Sequence, residues 1–143
     1  MLKRIIQTSN SKSVFMIRLM VGVVFLSEGI QKFLFPAIRG AGRFEKIGLP
    51  SPEFLGSFVG SFEIVCGLLI LIGLYTRLAS IPLIIIMLVA ISTTKVDILL
   101  NDGFWMMMHA ARTDYAMLLG SLVLLLKGAG QWSVDWQVEK KLN

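Results

Sequence analysis

Four apolar stretches joined by short polar segments make up most of the sequence. Each is close to the roughly 20 residues that a helix needs to cross a bilayer. The stretches cover residues 14–35, 54–74, 78–99 and 106–127. The turn at 73–77 is so short that the second and third stretches must be antiparallel neighbours. The pattern predicts an all-α integral membrane protein, a four-helix antiparallel bundle in one domain, with a short interfacial tail at 130–143.

Glu63 lies inside the second stretch and shares one helical face with three glycines. At about 100° per residue, it falls on the same narrow arc as Gly56, Gly60 and Gly67. Glycines spaced in this way let another helix approach closely, and a charged side chain in lipid costs about 2.5–3.5 kcal/mol. We therefore expect this face to point into the bundle, with Glu63 either as a functional acid or as a structural hydrogen-bonding residue.

The first stretch carries a second polar face. Arg18, Gly22, Glu28, Gly29 and Lys32 lie within about a third of the helix circumference. The two glycines are predicted packing positions. Glu28 precedes Lys32 by four residues, which is the favourable order for an ion pair within one helix. The alternative is that Lys32 extends to the membrane surface.

Composition and charge support a membrane location. The chain has 143 residues, of which 55% are hydrophobic and 16% charged, and its mean hydropathy is +0.76, well above a soluble domain. Basic residues at the ends of the stretches account for the net charge of +5, so we assign no nucleic-acid partner. Their distribution predicts a multi-pass protein of a bacterial plasma (inner) membrane with both termini in the cytoplasm. The single cysteine, Cys66, excludes an intrachain disulfide and dithiol exchange.

Ionisable residues gather in the half of the bundle away from the termini, which we call the outer half. Counting about 1.5 Å per residue from the ends of the stretches places eight of them there. They are Glu28, Lys32, Glu63, Lys95, Asp97, His109, Arg112 and Asp114. The inner half is rich in Leu, Ile and Val. We expect one polar pocket that opens outward and is closed below by an apolar plug.

Several short motifs occur in a fixed order along residues 14–136. They are Arg18-Leu19 with Gly22, Glu28-Gly29-x-x-Lys32, Glu63-x-x-x-Gly67, Gly73-Leu74-Tyr75-Thr76-Arg77, Asp114, Gly128-Ala129-Gly130 and Ser133-Val134-Asp135. Their order and spacing make the combination specific, and it resembles the DoxX family of small four-helix membrane proteins. Glu28 stands where many relatives have a histidine, which weakens any role there that needs an imidazole. The resemblance implies a four-helix bundle associated with membrane redox chemistry. The name-giving member is described as the small subunit of a thiosulfate:quinone oxidoreductase, and most members have no established activity.

The sequence carries no cofactor motif of its own. One histidine excludes bis-His haem ligation, and His109 with Asp114 or Glu63 has no recognisable metal-ligand spacing, so we assign no metal. Neither a phosphate-binding loop nor a nucleophile motif is present, which leaves open whether the chain is an enzyme. A quinone or another small organic molecule suits the pocket best, because quinone reduction consumes protons that buried acids beside basic groups can relay.

We therefore expect a membrane-embedded subunit of a redox system, surrounded by the lipid bilayer and served by a redox protein partner that carries the cofactor. One alternative is a small-molecule or proton-coupled transporter that uses the same pocket, which would require a homo-oligomer to form a path. The other alternative is a structural membrane anchor or scaffold. Exposed apolar faces do not decide the oligomeric state, because lipid can cover them.

Overall fold

The computed structural model describes residues 5–142 and confirms the all-α fold. Its helices are α1 (Val14–Leu34), α2 (Ala41–Lys46), α3 (Pro52–Ile72), α4 (Thr76–Asp102), α5 (Phe104–Lys127) and α6 (Val134–Leu142). No strand occurs among these residues. Three helices, α1, α3 and α4, are long and apolar enough to cross a membrane. The polar first half of α5 keeps this 24-residue helix out of that group.

We treat α5 as the fourth crossing because it returns along α4. Only Gly103 separates the two helices, and its φ of 87° reverses the chain at no steric cost. The sequence predicted a longer connection there, but α4 continues to Asp102. The four long helices form a ring in chain order: α1 packs along α3, α4 packs along α5, and contacts of α3 with α4 and of α1 with α5 close the ring. Successive helices are therefore antiparallel neighbours.

Glycines bring α1 and α3 into close contact. A Cβ atom on Gly29 would lie 2.7 Å from the Gly60 carbonyl oxygen, and one on Gly67 would lie 2.9 Å from the Leu26 nitrogen. A Cβ atom on Gly22 would lie 2.6 Å from the Leu71 side chain. Because a larger side chain does not fit at these positions, the two backbones can approach each other closely. The first hairpin, α1 with α3, is held in this way.

Gly56 has a different neighbour from the other glycines on its face. A Cβ atom there would lie 2.9 Å from the Ala41 nitrogen at the start of α2. The short helix α2 therefore packs on the first part of α3, at the outer end of the first hairpin. This contact places the connection 36–53 against the bundle.

A core shared by all four long helices lies in the inner half, towards the termini. Its buried members are Val14, Val21, Phe25, Cys66, Ile70, Ala79, Leu83, Met117 and Leu124. By contrast, no side chain of α4 from residue 84 to residue 102 is fully buried. Met107 and Ala111 of α5 are buried further out but do not belong to this core. The four helices thus meet around an apolar core at the inner end, and the hairpins α1–α3 and α4–α5 are less joined at the outer end.

Candidate functional site

Glu63 is buried and forms an ion pair with a lysine of α1. Its Oε2 atom lies 2.6 Å from Lys32 Nζ, and the two side chains are 3% and 10% exposed. The sequence left two possibilities for Lys32, an ion pair with Glu28 in the same helix or extension to the membrane surface, whereas Lys32 pairs with Glu63 of α3. The pair forms between helices because a buried carboxylate without a partner is strongly destabilising.

A second ion pair occupies an equivalent place in the other hairpin. Lys95 Nζ of α4 lies 3.0 Å from Asp114 Oδ2 of α5. In both hairpins the lysine belongs to the last third of the first helix and the acid to the middle of the second. Each pair therefore joins the two helices of its own hairpin.

The eight predicted residues do not form one common pocket. Four of them make the two ion pairs, in separate hairpins. Asp97, His109 and Arg112 are exposed, and Glu28 is half-buried. Arg112 donates from Nη1 to the carbonyl oxygen of His109 at 2.5 Å. The two ion pairs thus lie in separate hairpins, and the buried core that all four long helices share lies in the inner half.

Helical periodicity relates Glu28 of α1 to His109 of α5. The two helices touch further in, where a Cβ atom on Gly120 would lie 2.6 Å from Val21 Cγ2. Glu28 follows Val21 by seven residues and His109 precedes Gly120 by eleven, each close to a whole number of turns. Both residues thus lie on the contacting faces, about 10 Å and about 16 Å further out. We call the region between these two positions, with Arg112, which bonds to the His109 carbonyl, the outer cleft.

The buried ion pair of the first hairpin adjoins the outer cleft. Lys32 follows Val21 by eleven residues, so it lies on the same face of α1 as Glu28. The cleft therefore combines a carboxylate, an imidazole and a guanidinium beside the Lys32–Glu63 pair. Such groups can donate protons to a polar ligand or accept them from it. In the part of the chain that the structure describes, no cluster of His, Cys, Asp and Glu could hold a metal ion.

A separate surface depression of about 500 Å³ lies beside α2. It contains none of the residues that the sequence predicted for the site. Its lining is Ala41, Glu45, Ser51, Pro52, Glu53 and Phe54.

Sequence reasoning missed a second polar cluster, at the inner end. Arg18 is 1% exposed and donates only to backbone carbonyls. Its Nε bonds to Ile70 O at 2.9 Å and its Nη2 to Leu71 O at 2.7 Å. Its Nη1 bonds to Trp132 O at 3.0 Å and to Ala129 O at 3.3 Å. Arg18 thereby satisfies the free carbonyls at the end of α3 and ties them to the segment that follows α5.

Asp135 completes this cluster from the other side of the α3–α4 turn. Its buried carboxylate accepts the backbone N–H groups of Tyr75 at 2.8 Å and Thr76 at 3.0 Å, where α4 begins. A carboxylate at this position suits the free amides and the dipole of the helix N-terminus. Burial raises the pKa of Asp135 above its usual range, and the two donated hydrogen bonds oppose that rise.

Gly73 allows Arg18 and the segment around Ser133 to approach the α3–α4 turn closely. Its φ is 74°, and a Cβ atom there would lie 2.4 Å from Ser133 Cβ and 2.8 Å from Arg18 Cζ. The Asp135 backbone N–H also donates to the Gly73 carbonyl at 2.9 Å. We call Arg18, Gly73, Ser133 and Asp135 the inner clasp.

Comparison with known proteins identifies the family of the chain. Residues 13–96 match the family described as DoxX, which is more than half of the chain. The chain belongs to the DoxX family. Residues 56–143 also match the family described as "TQO small subunit DoxD". The motif residues of this DoxX protein fall into two groups. Arg18, Gly73 and Asp135 belong to the inner clasp, whereas Glu28, Lys32 and Glu63 belong to the outer half of the first hairpin.

This DoxX protein is similar in sequence to two bacterial proteins. It is 50% identical over 144 residues to "Uncharacterized membrane protein Rv3486" of Mycobacterium tuberculosis (strain ATCC 25618 / H37Rv), covering 96% of this chain and 88% of the relative. It is 31% identical over 121 residues to "Putative oxidoreductase CatD" of Bacillus subtilis (strain 168), covering 84% and 82%. No solved structure matches it. Family and relatives together support a membrane protein associated with redox systems.

Proposed function

We propose that this DoxX protein is a membrane subunit of a redox system and binds a quinone-like or other small organic molecule in the outer cleft. One observation carries the proposal: the faces of α1 and α5 that touch at Val21 and Gly120 present Glu28 and His109 further out, where neither is buried. The apolar core below the cleft favours entry of a ligand from the outer side or from the lipid.

The groups of the cleft suit the protonation of a carbonyl ligand. Reduction of a quinone to a quinol takes up two electrons and two protons. In this proposal Glu28 and His109 exchange the protons, and Arg112 stabilises negative charge that develops on a ligand oxygen. The electrons come from a partner protein that carries its own cofactor. The Lys32–Glu63 pair, at 2.6 Å, keeps α1 and α3 together behind the ligand.

The expected location follows from the basic residues of the chain. We propose the bacterial plasma membrane, with both termini in the cytoplasm, because the ends of the bundle that carry the termini hold more lysine and arginine. The outer cleft would then open on the extracytoplasmic side. A partner that donates electrons would have to reach the ligand from that side or through the lipid.

Binding of a water-soluble naphthoquinone to the protein in nanodiscs tests the proposal. We expect Glu28→Gln and His109→Gln each to weaken binding about ten-fold, since a hydrogen bond to a charged group contributes about 1.5–3 kcal/mol. Glu45→Gln is the matched control, because Glu45 is exposed on α2, away from the outer cleft, and its replacement should leave the affinity unchanged. Equal affinity of the wild type and both cleft variants would refute the proposal. Flux of the quinone through reconstituted vesicles without a redox partner would favour the transporter alternative.

A further inference from the structure

The inner surface of the bundle presents lysines that have no ion-pair partner among residues 5–142. The exposed ones are Lys12, Lys127, Lys140 and Lys141, and none of them forms an ion pair within residues 5–142. The acids of this end bind backbone amides instead. Asp135 accepts those at the start of α4, and Glu139 accepts the Thr8 N–H at 3.1 Å. Positive charge therefore remains on this surface.

Two tryptophans stand among these lysines. Trp132 is 63% exposed, and its φ of 59° lies in a region that bulky residues rarely adopt. The ring of Phe15 packs edge-on against it at 5.6 Å and helps to hold it outward. Lys12 Nζ lies 5.9 Å from the centre of the Trp132 ring, and Lys140 Nζ lies 5.0 Å from that of Trp136. Each of these two rings thus has an ammonium group within 6 Å of its centre.

We propose that this inner surface binds the headgroups of anionic phospholipids. A lipid phosphodiester with net negative charge matches the unpaired ammonium groups, and tryptophan rings favour the level just below the phosphates. An acidic soluble protein would also attract lysines. The rings favour lipid, because they extend the apolar ends of the crossing helices into the headgroup layer. The surface lies at the opposite end of the bundle from the outer cleft, so this proposal does not depend on the proposed function.

Fluorescence of Trp132 provides the test. The chain has three tryptophans, so a variant with Trp105→Phe and Trp136→Phe reports on Trp132 alone. This variant is reconstituted in phosphatidylcholine vesicles that contain a small fraction of brominated phosphatidylglycerol or brominated phosphatidylcholine. We expect the phosphatidylglycerol to be preferred about five-fold at Trp132, since Lys12 lies against this ring and one basic residue near an anionic surface contributes roughly this factor. Adding Lys12→Gln and Lys140→Gln should reduce the preference to below about two-fold.

Lys46→Gln, at the outer end of the bundle, is the matched control and should leave the preference unchanged. Equal quenching by both brominated lipids in the parent variant would overturn the proposal, as would a preference that survives loss of Lys12 and Lys140. Inorganic phosphate should not reduce the quenching. Competition by inorganic phosphate would indicate a site for a free anion and would contradict the assignment to lipid.

Discussion

Replacing Arg18 with glutamine should lower the free energy of unfolding far more than replacing a less buried arginine. The guanidinium is buried and bonds to Ile70 O at 2.9 Å, Leu71 O at 2.7 Å and Trp132 O at 3.0 Å. Glutamine is too short and has too few donors to reach carbonyls on both sides of the inner clasp. The substitution therefore leaves buried carbonyl groups without partners.

The size of the effect follows from these bonds. A hydrogen bond to a charged group contributes about 1.5–3 kcal/mol, but bonds within one network are not additive. Removing one member of a buried charged network costs about 3–5 kcal/mol, and we expect this loss in the free energy of unfolding. Arg18→Lys keeps the charge but not the planar fork, so it should recover less than half of the loss.

The only cysteine makes the assay direct. Cys66 is buried in the shared core, so labelling by a thiol-reactive fluorophore reports its opening as denaturing detergent is added. Arg77→Gln is the matched control, because Arg77 also donates to two carbonyls, of Gln7 at 2.8 Å and Leu126 at 2.9 Å, but it is only half-buried and these bonds are exposed. We expect it to lose about 1 kcal/mol or less. If Arg18→Gln were within about 1 kcal/mol of the wild type, the inner clasp would not hold the fold.

The same labelling assay checks three further variants. Gly29→Ala should lose about 1–3 kcal/mol of unfolding free energy, because its Cβ atom would lie 2.7 Å from a carbonyl of α3; unchanged stability would mean that the close contact is not needed. Lys32→Met should lower the free energy of unfolding by about 3–5 kcal/mol, because it leaves Glu63 unpaired, and adding Glu63→Met should restore most of the lost stability. A double variant as unstable as the single one would contradict this reasoning. Asp135→Asn should lose about 1–2 kcal/mol by removing the charge at the start of α4, and a stabilised variant would contradict the capping role.

The helices could be predicted from the sequence because the bilayer leaves few alternatives. A long apolar stretch in lipid must satisfy its backbone groups within itself, and only a helix does so. The ends of the helices were predicted less accurately. Asn101 and Asp102 are polar and suggested a connection, but α4 continues through them to Gly103. The tail was predicted as interfacial, yet Asp135 within it is buried, because its partners at Tyr75 and Thr76 are about 60 residues away in the sequence.

The candidate site could be predicted only in part. Periodicity placed Glu63 on a face that packs against another helix, and the structure shows it buried beside α1. Periodicity cannot tell how far two hairpins separate along their length. His109 shares the face of Gly120, so it was expected to point inward. That face contacts α1 at Gly120 but is exposed at His109, because the shared core ends between the two levels.

This separation has a consequence for ligand binding. A ligand that contacts both Glu28 of α1 and His109 of α5 joins two hairpins that share no buried core at that level. Because the ligand binds only when both helices are in place, binding must reduce local opening of the outer end of α5. We expect amide hydrogen exchange in residues 104–112 to slow when the naphthoquinone is added, while exchange around the inner clasp stays unchanged. Slowing confined to the inner end, or no slowing in a protein that binds the quinone, would place the ligand outside the outer cleft.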